Sequence, residues 1–384
     1  TGALEKVGGN NRLVELVERV PSTASIEQVA RLVMDKFLRR QLIRSGNEVI
    51  QLGFDQSLQM EQVLDQAEQK IFAISQEKPS KGLTPTAEIL TQTFEEIESR
   101  SLGTSVAGIP VNFYDLDAMT QGLQRSDLII VAGRPAMGKT SIVLNLAKNV
   151  AQLHDLPVCL FSLEMSKEQL TYRLLSMEVG IESGRLRTGR LQQEEWPLLG
   201  QGINSLGQLP IFIDDKPNSG VLEMRSLCRR LMAEQGKELG LVMIDYLQLM
   251  EGSGSDNRVQ ELSRITRGLK GMARELNVPV IALSQLSRGV ESRTNKRPML
   301  SDLRESGSIE QDADVVMFVY REAYYLERKQ PKLGSIEHAE WQSKMNDVNG
   351  LADIILGKQR HGPTGTVKVE FEGIYTKFKD LSKN

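Results

Sequence analysis

At 384 residues and 40% hydrophobic content, the chain is long enough for two or three domains with packed cores. It has no run of about 18 consecutive apolar residues, no signal-peptide pattern and no lipidation motif, which makes the cytoplasm the expected compartment. A net charge of −3 excludes a surface coated in positive charge, two cysteines exclude a disulfide framework, and His154, His338 and His361 show no zinc-ligand spacing.

Residues 1–78 read as helical, with breaks near Gly46 and over Gly53 to Ser57. Ser25-Ile26-Glu27-Gln28 has the form of a capping box, and Ile26, Val29, Val33 and Phe37 follow at helical spacing. Val63, Leu64, Ala67, Ile71 and Ile74 make the matching stripe of an antiparallel partner, so a helical hairpin is expected. The chain starts at Thr1 inside this region, which reads as a fragment or a processed form. Lys78-Pro79-Ser80-Lys81-Gly82 is a linker by composition, and Thr84-Pro85 supplies an N-cap and a first-turn proline. In the helix that follows, Leu90, Phe94 and Ile97 form an apolar stripe suited to another chain or to a neighbouring domain.

From Gly108 onward, strands alternate with helices, the pattern of an α/β fold with a mostly parallel sheet covered on both faces. The expected strands are Leu128 to Ala132, Val158 to Leu163, Pro210 to Asp214, Leu241 to Ile244, Val278 to Leu283, Asp314 to Tyr320, Ala352 to Leu356 and Thr366 to Phe371. The expected division is therefore 1–78, a linker with a docking helix over 79–107, and an α/β domain over 108–384.

Residues 133 to 140 read GRPAMGKT between a strand and a helix. The pattern G-x-x-x-x-G-K-[ST] is expected by chance on the order of 0.01 to 0.02 times in a chain this long, so its occurrence in that context points to a phosphate-binding loop for ATP. Backbone N–H groups and a helix N-terminus there cradle phosphate, Lys139 reaches the β and γ oxygens, and Thr140 offers its hydroxyl to Mg²⁺. Asp245 ends one apolar strand and Glu164 another, which places two carboxylates at a carboxyl edge. Asp245 suits the metal and Glu164 the attacking water, although either could simply cap a helix. Gln285 closes a third strand, where its amide could sense the γ-phosphate. Residues 285–305 carry Arg288, Arg293, Lys296, Arg297 and Arg304 without an aromatic residue, which suits a phosphate backbone or a solvated loop. Lys358 and Arg360 read as two cations on a short turn before Gly362-Pro363. That turn is either ordinary or an arginine finger for a neighbour.

Taken in order, GRPAMGKT, FSLEMS, VMIDYLQLM, SQLSRGVE, DLRESGSIEQDAD and KQRHGPTG resemble the DnaB-type replicative DNA helicases. The resemblance covers about Gly108 to the C-terminus, and LEKVGG, the hairpin and the linker helix extend it. It implies a RecA-like P-loop NTPase domain in a homohexameric ring that moves 5′ to 3′ on single-stranded DNA and unwinds duplex at the replication fork. Primase and a helicase loader are the further partners implied, and a bacterial nucleoid, a plastid and a phage all suit as sources. By resemblance, Gly133, Arg134, Pro135, Ala136, Met137, Gly138, Lys139, Thr140 and Ser141 hold the nucleotide, with Arg173 beside them. Thr140 and Asp245 hold Mg²⁺, Glu164 is the catalytic carboxylate and Gln285 the γ-phosphate sensor. Lys358 and Arg360 act in trans, while Arg304, Glu305 and Gly307 contact the single strand. Two features depart from the family: the globular start of its N-terminal domain is missing from the chain, and residues 323–349 are longer and more polar, as in a surface insertion. The alternative is a RecA-class ring ATPase of the recombination or clock type, or a nucleotide-gated loader that does not unwind.

Overall fold

The computed structural model describes residues 26–76, 86–102, 107–250, 258–332 and 334–381, and at 26–31, 72–76, 304–308 and a few further helix positions it describes the backbone without the side chains. Ser25, the Lys78 to Gly82 linker and Thr84-Pro85 lie outside the described residues. The chain divides into two units, with the hairpin in one and everything from the linker helix on in the other.

In the first unit, helix α1 (Ile26–Phe54) and helix α2 (Met60–Gln76) form the expected hairpin, and Lys70 reaches back to Glu48 in an ion pair. The break comes where Asp55 accepts hydrogen bonds from the backbone N–H of Ser57 (2.9 Å) and from its hydroxyl (2.6 Å), a local turn that competes with the helix. The second expected break is absent, because α1 runs unbroken through Gly46. One interior glycine costs a helix only about 1 kcal/mol relative to alanine, which a helix of this length absorbs.

The second unit begins with helix α3 (Thr86–Ser101), whose Leu90, Phe94 and Ile97 are 57–67% exposed. A nine-stranded sheet follows, in the order β3-β2-β4-β5-β1-β6-β7-β8-β9. Its parallel part comprises β1 (Leu128–Gly133), β2 (Val158–Ser162), β3 (Ile211–Asp214), β4 (Leu241–Asp245), β5 (Val280–Gln285) and β6 (Val315–Tyr320). Strands β1, β4 and β6 are buried along their whole length, which explains their continuous apolar runs. Side chains alternate between the faces: Ile129 and Val131 join the core under α5 (Lys139–His154), while Leu128, Ile130 and Ala132 join the core under α10 (Arg258–Leu276). Strand β5 starts two residues later than the sequence suggests, after Pro279, which has no N–H to give a ladder.

Between β1 and β5 the chain also forms α6 (Lys167–Val179), α7 (Ser183–Thr188), α8 (Glu195–Gly207) and α9 (Val221–Gln235), and α4 (Tyr114–Thr120) precedes β1. After β5 come a short 3-10 helix (Arg288–Ser292), a second (Leu300–Ser306) and α11 (Gly307–Asp312). The polar segment after β6 folds into α12 (Glu322–Glu327) and α13 (Ile336–Val348), and α13 buries none of its residues, as a surface insertion would. The sheet ends in three antiparallel strands, β7 (Leu351–Gln359), β8 (Gly365–Glu372) and β9 (Lys377–Asp380), the last unforeseen. In the parallel ladders Gly133 lies beside Gln285, and Ser162 beside Asp245. Four strand ends thus share one carboxyl edge.

Candidate active site

The phosphate loop leaves β1 at Gly133 and returns as the N-terminus of α5, capped by Gly138 at φ 95°. A Cβ at Gly138 would be strained by the left-handed backbone, and it would also crowd the Phe378 ring at 3.0 Å. The Lys139 ammonium donates to the carbonyls of Gly133 (3.0 Å) and Arg134 (3.4 Å). Burial lowers its pKa, while the negative charges of Asp245 and Glu164 pull it back up.

The Thr140 hydroxyl donates to Asp245 Oδ2 at 2.8 Å. Asp245 is 2% exposed, and burial raises its pKa, with Glu164 adding to the shift against the Thr140 hydrogen bond and the charges of Lys139 and Arg173. A hydroxyl and a buried carboxylate held together at a strand edge are hard oxygen donors suited to Mg²⁺, which would favour the ionised carboxylate. Among the described residues no group of three or more His, Cys, Asp or Glu is disposed to hold a metal, so phosphate and water would supply the other ligands.

Glu164 sits two residues past β2 on a turn fixed at both sides. Ser162 Oγ donates to Met165 O at 2.6 Å, Leu163 N donates to Asp245 O at 2.7 Å, and Ser166 with Gln169 forms the capping box of α6. One cleft is lined by Pro135, Ala136, Gly138, Lys139, Thr140, Ser141, Glu164, Arg173, Asp245 and Gln285, all expected there. Burial lowers the pKa of Arg173 in this cleft, and Asp245 and Glu164 oppose the shift. Gln248 steadies the end of β5, accepting from Gln285 N at 3.3 Å and donating to Ser284 Oγ at 2.9 Å.

The same cleft is lined by Tyr246, Arg321, Phe371 and Thr376, which the sequence did not mark. Arg321 donates to Ala136 O at 3.2 Å and stacks over the Phe371 ring at 4.4 Å. Arg321, Phe371 and Thr376 come from the end of β6 and the β8–β9 hairpin. No local spacing signals them.

Three expected loop residues keep their side chains, or for Gly133 its carbonyl, out of the cleft, which leaves only their backbone N–H groups for phosphate. The Arg134 side chain turns away from the cleft and is buried, with Nε on Glu291 (2.9 Å) and Nη1 on Leu286 O (2.8 Å). Met137 is 2% exposed and packs in the apolar core beneath the loop. Gly133 is the last residue of β1, and its carbonyl holds Lys139 without lining the cleft.

The Lys358 and Arg360 pair also differs from expectation. Lys358 lies within β7, because that strand runs to Gln359 along β6, and its ammonium donates to the carbonyls of Glu310 (2.6 Å) and Ala313 (2.7 Å). Burial lowers its pKa, helped by the neighbouring charge of Arg360. Arg360, just past the strand, donates to Gln311 O (3.0 Å) and pairs with Asp314 (3.2 Å). Its own N–H bonds Asp314 O, and Asp314 N bonds the carbonyl of Leu128, the first residue of β1. The pair therefore stands at the amino edge of the sheet, about 16 Å of strand away from the phosphate loop of its own chain.

Arg304, Glu305 and Gly307 fall at the junction of the second 3-10 helix and α11, where the side chains lie outside the described residues. Three of the four cations before them are internally engaged, against the reading of a solvated basic loop, while Arg288 is exposed. Arg293 pairs with Asp302 (2.7 Å), Lys296 lies over the Tyr325 ring (4.8 Å), and Arg297 pairs with Asp353 (2.6 Å). No described helix is long and apolar enough to cross a membrane.

Residues 108–380 match the family described as the DnaB-like helicase C terminal domain. A replicative DNA helicase DnaB of Nostoc sp. is 62% identical over 314 residues, 82% of this chain and 36% of that protein. The chain thus spans about a third of the length of that relative. The replicative DNA helicase DnaB of Geobacillus stearothermophilus is 46% identical over 383 residues, 99% of this chain and 80% of that protein. Among solved structures, one described as an ATPase domain matches with a TM-score of 0.69 and 39% identity, covering 78% of this chain and 100% of that one. A structure described as a DnaB-like replicative helicase and its interactions with primase matches with a TM-score of 0.72 and 36% identity, covering 99% and 85%.

Proposed function

The chain belongs to the DnaB-like helicase family, and from that membership we propose that it is an ATP-driven replicative DNA helicase, acting as a homohexameric ring that moves 5′ to 3′ on single-stranded DNA. The observation that carries this reading is the convergence of Lys139, Thr140, Glu164, Arg173, Asp245 and Gln285 on one cleft at the carboxyl edge. Lys139 leaves its own carbonyls for the β and γ phosphates. Thr140 and Asp245 would hold Mg²⁺, which would supply charge neutralisation at the phosphates when bound. Glu164 orients a water and accepts its proton as the oxygen attacks the γ-phosphorus and the bond to the bridging oxygen breaks. Gln285 senses the loss of that phosphate.

The distance between Lys358 with Arg360 and the loop of the same chain supports their action on a neighbour's nucleotide. The uncovered stripe on α3 supports docking against a second subunit. Arg304, Glu305 and Gly307 are assigned to the single strand, and primase and a loader are the further partners in the cytoplasm or nucleoid. The division at 78, 79–107 and 108–384 serves this scheme as collar, connector and motor.

One assay tests the reading: ATPase rate with and without single-stranded DNA, combined with displacement of a forked duplex. Stimulated hydrolysis with strand separation is expected. Hydrolysis without separation, together with an Arg304→Ala variant that binds DNA as wild type does, overturns it.

A further inference from the structure

Strands β1 and β5 end side by side, with Gly133 opposite Gln285 and Leu286 N donating to Gly133 O at 3.4 Å. Beyond that point Arg134 carries the connection forward in its side chain, through Leu286 O at 2.8 Å and Glu291 at 2.9 Å. The Arg134 side chain is 8% exposed, so its guanidinium has little water to replace either acceptor. On its other side the carbonyl of Arg134 accepts from Lys139, as Gly133 O does. A phosphate that draws the Lys139 ammonium toward itself therefore frees two carbonyls on the same stretch of backbone that grips Leu286 and Glu291.

Glu291 lies in the first 3-10 helix after β5, and the next links are in contact. Arg293 pairs with Asp302 at 2.7 Å, Ser287 N donates to Asp302 O at 3.1 Å, and Met299 N donates to Asp302 Oδ2 at 2.8 Å. Asp302 belongs to the second 3-10 helix, the one that carries Arg304 and Glu305. We propose that Arg134 and Glu291 are a positioning pair that ties the phosphate loop to the segment reaching the single strand, so that DNA affinity depends on the nucleotide bound. The proposal rests on the helicase reading and adds to it two side chains that lie outside the nucleotide cleft.

The test measures binding of a fluorescent oligothymidylate to the full chain with no nucleotide, with Mg·ADP and with a magnesium complex of a non-hydrolysable ATP analogue. Wild type is expected to bind with different affinities in the last two states. Glu291→Ala should shrink that ratio by about 5-fold or more while leaving nucleotide affinity and nucleotide-free DNA affinity within about 2-fold of wild type. Glu291→Gln, which keeps an acceptor for Arg134, should fall between. Arg134→Gln should reproduce the Glu291→Ala ratio, and the double variant should add nothing further, because both break one contact. A wild-type ratio in Glu291→Ala overturns the pair and leaves the helicase reading standing. Equal loss of DNA affinity in all three states also overturns it, since that marks a role in holding the segment together. If wild type binds no oligonucleotide in any state, the helicase reading fails and the pair fails with it.

Discussion

The two edges of the sheet carry similar charges and use them oppositely. At the carboxyl edge Lys139 and Arg173 stand beside Asp245 and Glu164 in an open cleft, with Lys139 resting on backbone carbonyls it can leave. At the amino edge the cations are already committed: Lys270 and Arg360 share the buried Asp314, and Lys358 holds the carbonyls of Glu310 and Ala313 beside the end of α11. One edge is arranged to receive an anion. The other is arranged to hold cations in fixed poses from which they can be presented. Composition alone does not separate the two, because each edge contains lysine, arginine and aspartate, and what differs is how many of their hydrogen bonds are filled from within.

The contrast breaks most sharply at Glu164. Glu164→Gln should lower ATP hydrolysis by about 100- to 10,000-fold with nucleotide affinity nearly unchanged, read by steady-state kinetics and equilibrium titration. A matching loss of affinity would make Glu164 a binding group. At the other edge, Arg360→Ala should cost about 1,000-fold in kcat while nucleotide still binds. Mixing Arg360→Ala chains with Lys139→Ala chains should then hydrolyse ATP faster than either alone, because each supplies the half the other lacks. No gain on mixing would place Arg360 in the service of its own chain.

Lys358 should show a smaller and different effect. Lys358→Met leaves two carbonyls short of a donor, so the melting temperature should fall by about 2–4 °C, the effect of about 1 kcal/mol in a domain of this size. Wild-type stability would show the two carbonyl bonds to be dispensable, and an unchanged kcat would remove Lys358 from the trans pair and leave Arg360 alone in it. The smallest effect on stability concerns Asp245. Its folded pKa lies above the ordinary 3.8, so the folded state keeps a proton that the unfolded chain has released, and nucleotide-free stability falls as pH rises from 3.8 through the raised value. Asp245→Asn should therefore melt above wild type at neutral pH, with the gap closing on acidification toward 3.8, while Mg²⁺-dependent hydrolysis is lost. A variant that melts lower at neutral pH would show the carboxylate to be stabilising.

What the sequence made legible follows from range. The phosphate loop, Asp245, Glu164 and Gln285 can be read because each is the last residue of an apolar strand or lies close behind one, and strand ends in a parallel sheet share an edge. Phe371, Thr376 and Arg321 cannot, since their place in the cleft depends on a hairpin folding back from far along the chain. Strand β9 is short and alternates lysine with other residues, so its pairing with β8 outweighs a poor local signal. The direction of the Arg134 side chain is illegible for another reason. A motif fixes where the backbone goes, whereas the direction of the side chain depends on finding Glu291 and a carbonyl within reach. Lys358 reads as a turn residue because Gly362-Pro363 marks a turn nearby, yet the antiparallel ladder with β6 continues to Gln359.

The separation of the phosphate loop from Arg360 by the length of a strand constrains assembly through symmetry. A two-fold axis sets one patch against itself, so it completes sites only where cleft and finger share that patch, whereas the proposed ring sets them on opposite faces of each chain. On the proposed trans reading, each chain meets its neighbours through two unlike faces, and every contact that completes one nucleotide site leaves another chain's face unmet. Such head-to-tail contacts end only by closing into a ring, or continue as an open helical filament. Ring closure would then complete every site at once, so that the active unit is the closed assembly and a pair of chains can hold no more than one finished site.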